Sequence, residues 1–498
     1  MNDRRDLDGA GSKTGPVGEK MDRRQFAKWF AAGLGGIAFN LPSRARGSEP
    51  TSSALISGDQ QVDVAVVGAG LSGLMAARAL NQAGKSVLIL EASDRIGGRM
   101  YSQGTIENGV LDLGGQWVGP TQNAIKNLLN ELGISTFNSN HTGNGVFIWN
   151  GKKTIFGENT PPPPQKAAAP FLAKLNAISA TIPAASPWLA PNAQTLDSQT
   201  FQSWINSQQM SPMAQWFFTL RARIGGSGSF EPSEASLLHM AWTQAVSPQS
   251  QDPEKRLIFG GAGQVPPLLA QELSGQIALN APVTAITQTD SAVTVSTPGF
   301  NVKAKAVIVA IPPPLRAGIQ FSPALPAQLS GLIQRDPMGS LSKVHAVYPT
   351  AFWRQNNLSG TGAGNLQTCE FIADSSTPNG TPGILTSFIS GARNIQLSTA
   401  TPEEIRALVL QDFTACFGSE AATPSDFVSI NWNDQEWTTG AFTNYMPPGG
   451  WTIYGPAWRE PVGNIFWAGT EVATSWPGYF DGAVSAGIDA ATAVLANI

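Results

Sequence analysis

Thiols and imidazoles are scarce in this 498-residue chain. Its two cysteines, Cys369 and Cys416, cannot build a disulfide framework or a cysteine-rich metal site. Its three histidines, His141, His239 and His345, lie far apart with no i, i+4 pair, so each reads as an ordinary core or surface residue. No metal is expected, and a His- or thiol-based catalyst is disfavoured. Charged residues make up only 13%, and 31 Lys+Arg against 35 Asp+Glu leave a net charge of −4. Proteins that hold nucleic acid by its phosphates carry the opposite excess, so nucleic acid is not an expected partner. No run reaches the roughly 20 apolar residues of a membrane span. Glycine (52) and proline (36) are plentiful in a chain that is 42% hydrophobic, which is a turn-rich globular composition. The length exceeds what one hydrophobic core fills, so two domains or one elaborated α/β domain is expected.

Near the start, Arg23-Arg24 is followed by Phe26, Lys28, a weakly apolar stretch over 29–41 and small polar residues over 43–53. That order resembles a twin-arginine export signal. Residues 1–55 are therefore read as signal and linker, with cleavage between 44 and 53. The expected location is the periplasm, or the cytoplasm if the signal is not used.

The folded part opens on the β-branched run 62–67, read as a buried parallel strand. Gly68-Ala69-Gly70-Leu71-Ser72-Gly73 follows, then apolar residues at helical spacing to residue 82, with Gly84 as the stop. A second strand over 86–90 ends at Glu91. This is one βαβ unit of about 30 residues with a G-x-G-x-x-G turn in the right place. Gly68 permits the turn, Gly70 admits a pyrophosphate to the backbone, and Gly73 allows close helix–strand packing. The helix N-terminus at Leu71 and Ser72 offers unpaired N–H groups to that pyrophosphate, and Glu91 can accept bonds from ribose hydroxyls. Further on, the pattern predicts a helix over 122–133, a hairpin over 146–155 and a loop at prolines 161–164. Helices are expected across 167–240, and strands over 276–286, 292–296, 302–311 and 465–468. A last helix is expected over 479–496.

Arg95-Ile96-Gly97-Gly98-Arg99 comes just after Glu91, and two arginines around a glycine pair bring positive charge to phosphate. DLGGQWVGPTQ (112–122), FGGAGQV (259–265), Ala281-Pro282-Val283, VAIPP (309–313) and PMGSLSK (337–343) follow in order. WTTGAFTNYMPPG (437–449), WAGTE (467–471) and WPGY (476–479) complete the series. With these segments, spanning 62–498, the chain resembles the flavin-containing monoamine oxidase family. The resemblance implies an α/β fold: a discontinuous FAD-binding Rossmann-like domain (60–136, 255–327, 435–498) with a mixed sheet-and-helix substrate domain (137–254, 328–434). It implies FAD as cofactor. Val283 would meet the adenine, Gly115 and Gln116 would lie near the isoalloxazine, and Gly469-Thr470-Glu471 would reach the ribityl-phosphate. The helix end at Phe480 would aim N–H groups at the flavin pyrimidine.

The same resemblance assigns Phe442 and Tyr479 to an aromatic pair that guides an amine to the flavin, Lys343 to a water near N5, and Trp117 to the cavity wall. The implied reaction takes a hydride from the carbon beside an unprotonated primary or secondary amine, giving an imine that hydrolyses to an aldehyde or ketone. Dioxygen, yielding hydrogen peroxide, or an electron-transfer protein would be the oxidant. Aryl-alkyl monoamines and N-methylamines such as pseudooxynicotine are candidate substrates. Two features depart from animal members: Ala441 stands where those carry a flavin-linking cysteine, so FAD is expected to be non-covalent, and no membrane-anchoring tail is expected. A homodimer is compatible with the reading. The chief rival, a flavin L-amino acid oxidase, needs an arginine for the carboxylate; Arg221 or Arg223 qualifies if its helix aims it inward. A carotenoid-type desaturase would leave the aromatic pair unexplained, and a flavin redox carrier without a substrate is the remaining alternative.

Overall fold

In the computed structural model, residues 58–498 are described, apart from 108, 159, 226 and 227; the export signal expected at the start lies outside the described residues. The run Val64–Val67 is buried along its whole length, as four consecutive apolar residues in a sheet covered on both faces should be. It sits in a five-stranded parallel sheet in the order Ile277–Ala278, Val87–Leu90, Val64–Val67, Ala306–Val309, Ile465–Trp467. The first, middle and last parts of the chain thus contribute strands to one sheet. The helices Leu71–Gln82 and Phe480–Leu495 pack against each other on this sheet, sharing a core that includes Leu74, Val66, Ile308, Val484 and Ala491.

A seven-stranded sheet lies outside this unit, ordered Asp426–Asn431, Leu341–Tyr348, Gly383–Ser390, Phe371–Asp374, Leu358–Gly364, Asn144–Trp149, Lys152–Phe156. Its alternation sorts the side chains of Leu341–Tyr348. Val344, Ala346 and Tyr348 join a core with Phe413 and Cys416 of the helix Pro402–Phe417. Lys343 and His345 fall on the opposite face, where Lys343 pairs in register with Phe388. The helices Pro163–Ser179, Pro212–Ile224 and Leu237–Val246 lie in the middle of the chain. Ser211 caps the second of these through Ala214 N, with Pro212 at the first helical position.

Three expectations need correction. The run 302–311 is not one strand. It breaks at Lys305 into Asn301–Ala304, which alternates and joins an outer five-stranded sheet, and Ala306–Val309, which is buried on both faces. The run 276–286 likewise divides into Ile277–Ala278 and the start of Ala285–Gln288, separated by residues including Pro282. Prolines 163 and 164 begin a helix instead of ending structure, since a first-turn N–H has no intrahelical partner to lose. Among the described residues, no helix is long and apolar enough to cross a membrane.

Candidate active site

A cavity of about 1010 Å³ opens at the C-terminal ends of the parallel strands, where open α/β sheets bind ligands. Gly68, Gly70, Leu71 and Ser72 form one wall. The helix Leu71–Gln82 starts here with no side-chain cap and no acidic residue in its first turn, so its N–H groups are left for an anion. A Cβ on Gly70 would meet no protein atom within 4 Å, whereas one on Gly73 would lie 2.0 Å from Gly68 O. Gly73 therefore acts behind the wall, letting turn and helix close together. Glu91 also lines the cavity; its Oε2 accepts from Ala69 N at 2.6 Å, and its Oε1 accepts from Ser93 N and Oγ. Arg95, Gly98, Arg99 and Val283 extend the lining.

The uncapped helix N-terminus, the open face of Gly70 and the flanking arginines fit a dinucleotide diphosphate, and a cavity of about 1010 Å³ leaves room for the rest of FAD. The opposite helix, Phe480–Leu495, likewise starts without a side-chain cap at Tyr479. Gly469 and Thr470 line the cavity and brace its walls. Gly469 N donates to Ser72 Oγ at 2.9 Å, and Thr470 Oγ1 accepts from Gly478 N and donates to Tyr479 O. Glu471 does not line the cavity as expected. Its side chain is fully buried and pairs with Arg99 at 2.6 Å, while Arg99 Nη1 also donates to Phe442 O at 2.7 Å.

A second cavity of about 250 Å³ adjoins the first. Gly115, Lys343, Phe442, Tyr479 and Phe480 line both, so the two are parts of one site. Gln116 and Trp117 line only the smaller cavity, which places Gln116 on the substrate side. Phe442 packs edge-on against Phe388, with ring centroids 5.4 Å apart, and Tyr479 packs edge-on against Trp476 at 5.3 Å. Each ring is thus braced by another aromatic, Phe442 by a ring that also lines the smaller cavity. Gln249 Nε2 reaches the Tyr479 hydroxyl at 3.3 Å, and burial raises that phenol far above its usual value, keeping it neutral.

Lys343 is more engaged than its expected role with a water implies. Its Nζ donates to Asp112 O at 2.6 Å, Gly114 O at 2.8 Å and Gln116 Oε1 at 2.5 Å, which uses all three donors. Burial pushes its pKa down to about 7, opposed by the Asp112 charge. Asp112 joins two of the sequence segments: its Oδ1 accepts from Ser102 Oγ and from Ala262 N at 2.8 Å, fastening the 259–265 turn to the strand Val110–Asp112.

Sequence reasoning did not find Phe388, Gln249 or Glu254 on the cavity wall. Glu254 stands among Asp252, Pro253 and Lys255, which reads as a solvated turn. Burial and the nearby Asp252 raise its pKa to about 7. Of the two arginines that the sequence offers conditionally, the helix Pro212–Ile224 turns Arg221 into the cavity, whereas Arg223 pairs with Glu231 and Glu370.

Residues 71–495 match the family described as flavin containing amine oxidoreductase. An L-amino acid dehydrogenase of Synechocystis sp. is 39% identical over 454 residues, covering 89% of this chain and 96% of the relative. A flavin-containing amine oxidase B of Sus scrofa is 36% identical over 452 residues, covering 87% and 86%. A solved structure of wild-type putrescine oxidase bound to putrescine superposes with a TM-score of 0.84 at 33% identity, covering 88% of this chain and all of that one.

Proposed function

The chain belongs to the flavin-containing amine oxidoreductase family, and on that premise we propose that it oxidises a small primary or secondary amine held between Phe442 and Tyr479. FAD is its cofactor and supplies the acceptor for the hydride leaving the carbon next to the amine nitrogen. Hydrolysis of the resulting imine releases an aldehyde or ketone with ammonia or an amine.

The single observation that carries the reading is that both aromatic rings line the larger and the smaller cavity, where the two meet. Their faces orient the amine, and the neighbouring rings Phe388 and Trp476 limit their rotation. Trp117 and Phe388 keep water from the neutral amine. In its protonated form Lys343 places a positive charge beside Gly114 and Gln116. Ala441 offers no nucleophile, so FAD is held by non-covalent contacts alone.

Dioxygen, giving hydrogen peroxide, is the oxidant we favour, with an electron-transfer protein as the alternative. Aryl-alkyl monoamines and N-methylamines such as pseudooxynicotine fit the aromatic walls. The name of the Synechocystis relative brings in amino acids as a second substrate reading, and the position of Arg221 favours it. The twin-arginine reading makes the enzyme periplasmic; replacing Arg23 and Arg24 by Lys should leave active enzyme in the cytoplasm. The main experiment mixes the holoenzyme anaerobically with a panel of amines. Bleaching of the flavin absorbance is expected, and a flavin that no amine bleaches would leave a redox carrier.

A further inference from the structure

Arg221 is the only arginine lining the smaller cavity among the described residues. It lies in the last turn of the helix Pro212–Ile224, with its guanidinium carbon 5.8 Å from the centroid of the Phe217 ring. One of its donors is engaged: Nη2 donates to Gln244 Oε1. Its Nε is enclosed and has no partner, and no carboxylate among the described residues lies within salt-bridge distance of it. Two residues on, Arg223 shows the contrast, with Nε and Nη2 bonded to Glu231 and Nη1 to Glu370. One helix turn therefore holds a fully paired arginine and one with donors left over at a cavity wall.

An uncompensated guanidinium removed from water is costly, and that cost is relieved if a ligand completes the pair. Burial lowers the Arg221 pKa to about 10, which still leaves it charged at neutral pH. The cavity's other cation, Lys343, has all three donors committed to Asp112, Gly114 and Gln116. Glu254 lines the same cavity without forming an ion pair with Arg221. The free positive site is thus a planar fork beside Phe217, Leu220 and Ile224, a shape that suits a carboxylate joined to an apolar group.

We propose that Arg221 binds the carboxylate of an amino acid substrate, so that the site prefers a carboxylate-bearing amine over the same amine without it. This rests on the amine-oxidation reading and narrows its substrate class. The carboxylate can sit on the carbon that loses hydride, as in an α-amino acid, or further along the chain, as in an ω-amino acid.

The test compares pairs that differ only by the carboxylate, followed as anaerobic flavin reduction per unit substrate concentration. The pairs are L-leucine with isopentylamine, L-phenylalanine with 2-phenylethylamine, and 4-aminobutyrate with propylamine. At least one acid should outpace its partner by about 100-fold or more, and the first two pairs against the third separate α- from ω-amino acids. Arg221→Gln should lower that acid-to-amine ratio by about 100-fold, with Arg221→Lys recovering part of it. A ratio near one in every wild-type pair, or one unchanged in Arg221→Gln, overturns the proposal. If the variants do not fold, calorimetry on the wild-type holoenzyme decides: benzoate should bind at least about 10-fold more tightly than benzamide, and equal binding overturns the proposal. Should amines bleach the flavin and amino acids fail to, only the role of Arg221 falls. Should neither bleach it, the amine-oxidation reading falls as well.

Discussion

Arg99 Nη1 lies 2.6 Å from Glu471 Oε1 and donates at 2.7 Å to the carbonyl of Phe442. One guanidinium on the cofactor cavity wall therefore connects a fully buried carboxylate to the backbone of a substrate-side aromatic. Cofactor retention and the placement of Phe442 should depend on the same contact.

Glu471→Ala tests that dependence. Removing one partner of a buried pair leaves the other uncompensated, at a cost of about 3–5 kcal/mol. The variant should melt at a lower temperature and lose FAD on gel filtration. An unchanged melting temperature with a full flavin-to-protein ratio would show that the pair does not matter.

Tyr479→Ala should slow flavin reduction by about 10- to 1,000-fold, the range for losing an orienting contact, while FAD stays bound. Stopped-flow absorbance measures the reduction directly. Reduction at the wild-type rate would return Tyr479 to the status of an ordinary packed aromatic.

Lys343→Met should slow reoxidation by dioxygen about 100-fold, because a cation stabilises the charge that develops on oxygen. With the Lys343 pKa near 7, its cationic fraction falls as pH rises through that value. Wild-type reoxidation should therefore decline above pH 7, while the variant's rate stays flat. Parallel pH profiles for the two proteins would refute this role.

Glu254 carries a pKa raised to about 7 in the fold, from 4.5 for the ordinary group. Between those values the folded state binds more protons than the unfolded one, so stability from this group falls as pH rises from about 4.5 to 7. Glu254→Gln removes the effect. Its melting temperature should match wild type near pH 4.5 and exceed it above pH 7. A constant difference across that range would mean that the carboxyl titrates normally.

Acid precipitation should release all the yellow colour into the supernatant, since Ala441 cannot form a thioether. Flavin that remained with the polypeptide would require a covalent link elsewhere.

The cofactor side of the site was legible because its constraints are local. Gly68, Gly70 and Gly73, followed by Glu91, meet a backbone need within one βαβ unit, and the cavity is lined by three of those four. The substrate side depends on partners far apart in sequence. Arg221 and Arg223 are two residues apart in one helix, and only their distant surroundings distinguish a paired side chain from an unpaired one. Glu471 sits in the same short loop as Gly469 and Thr470, yet it turns inward to Arg99. The division of 302–311 between two sheets follows a change from alternating to continuous burial at Lys305, which the spacing of Lys303 and Lys305 in an otherwise apolar run does not reveal.

The parallel sheet also sets a biosynthetic order. Val64–Val67 pairs with Ala306–Val309, which in turn pairs with Ile465–Trp467, and the helix Phe480–Leu495 completes the core beside Leu71–Gln82. A ribosome adds about 5–20 residues per second, so the early βαβ unit waits tens of seconds for its last strand. The outer edge of Ala306–Val309 stays unpaired until Ile465–Trp467 is made, and the diphosphate wall stands long before the flavin end can close. The apoprotein therefore reaches its finished cofactor site only once residues 465–495 have been made, leaving a window in which chaperones and FAD supply govern the yield.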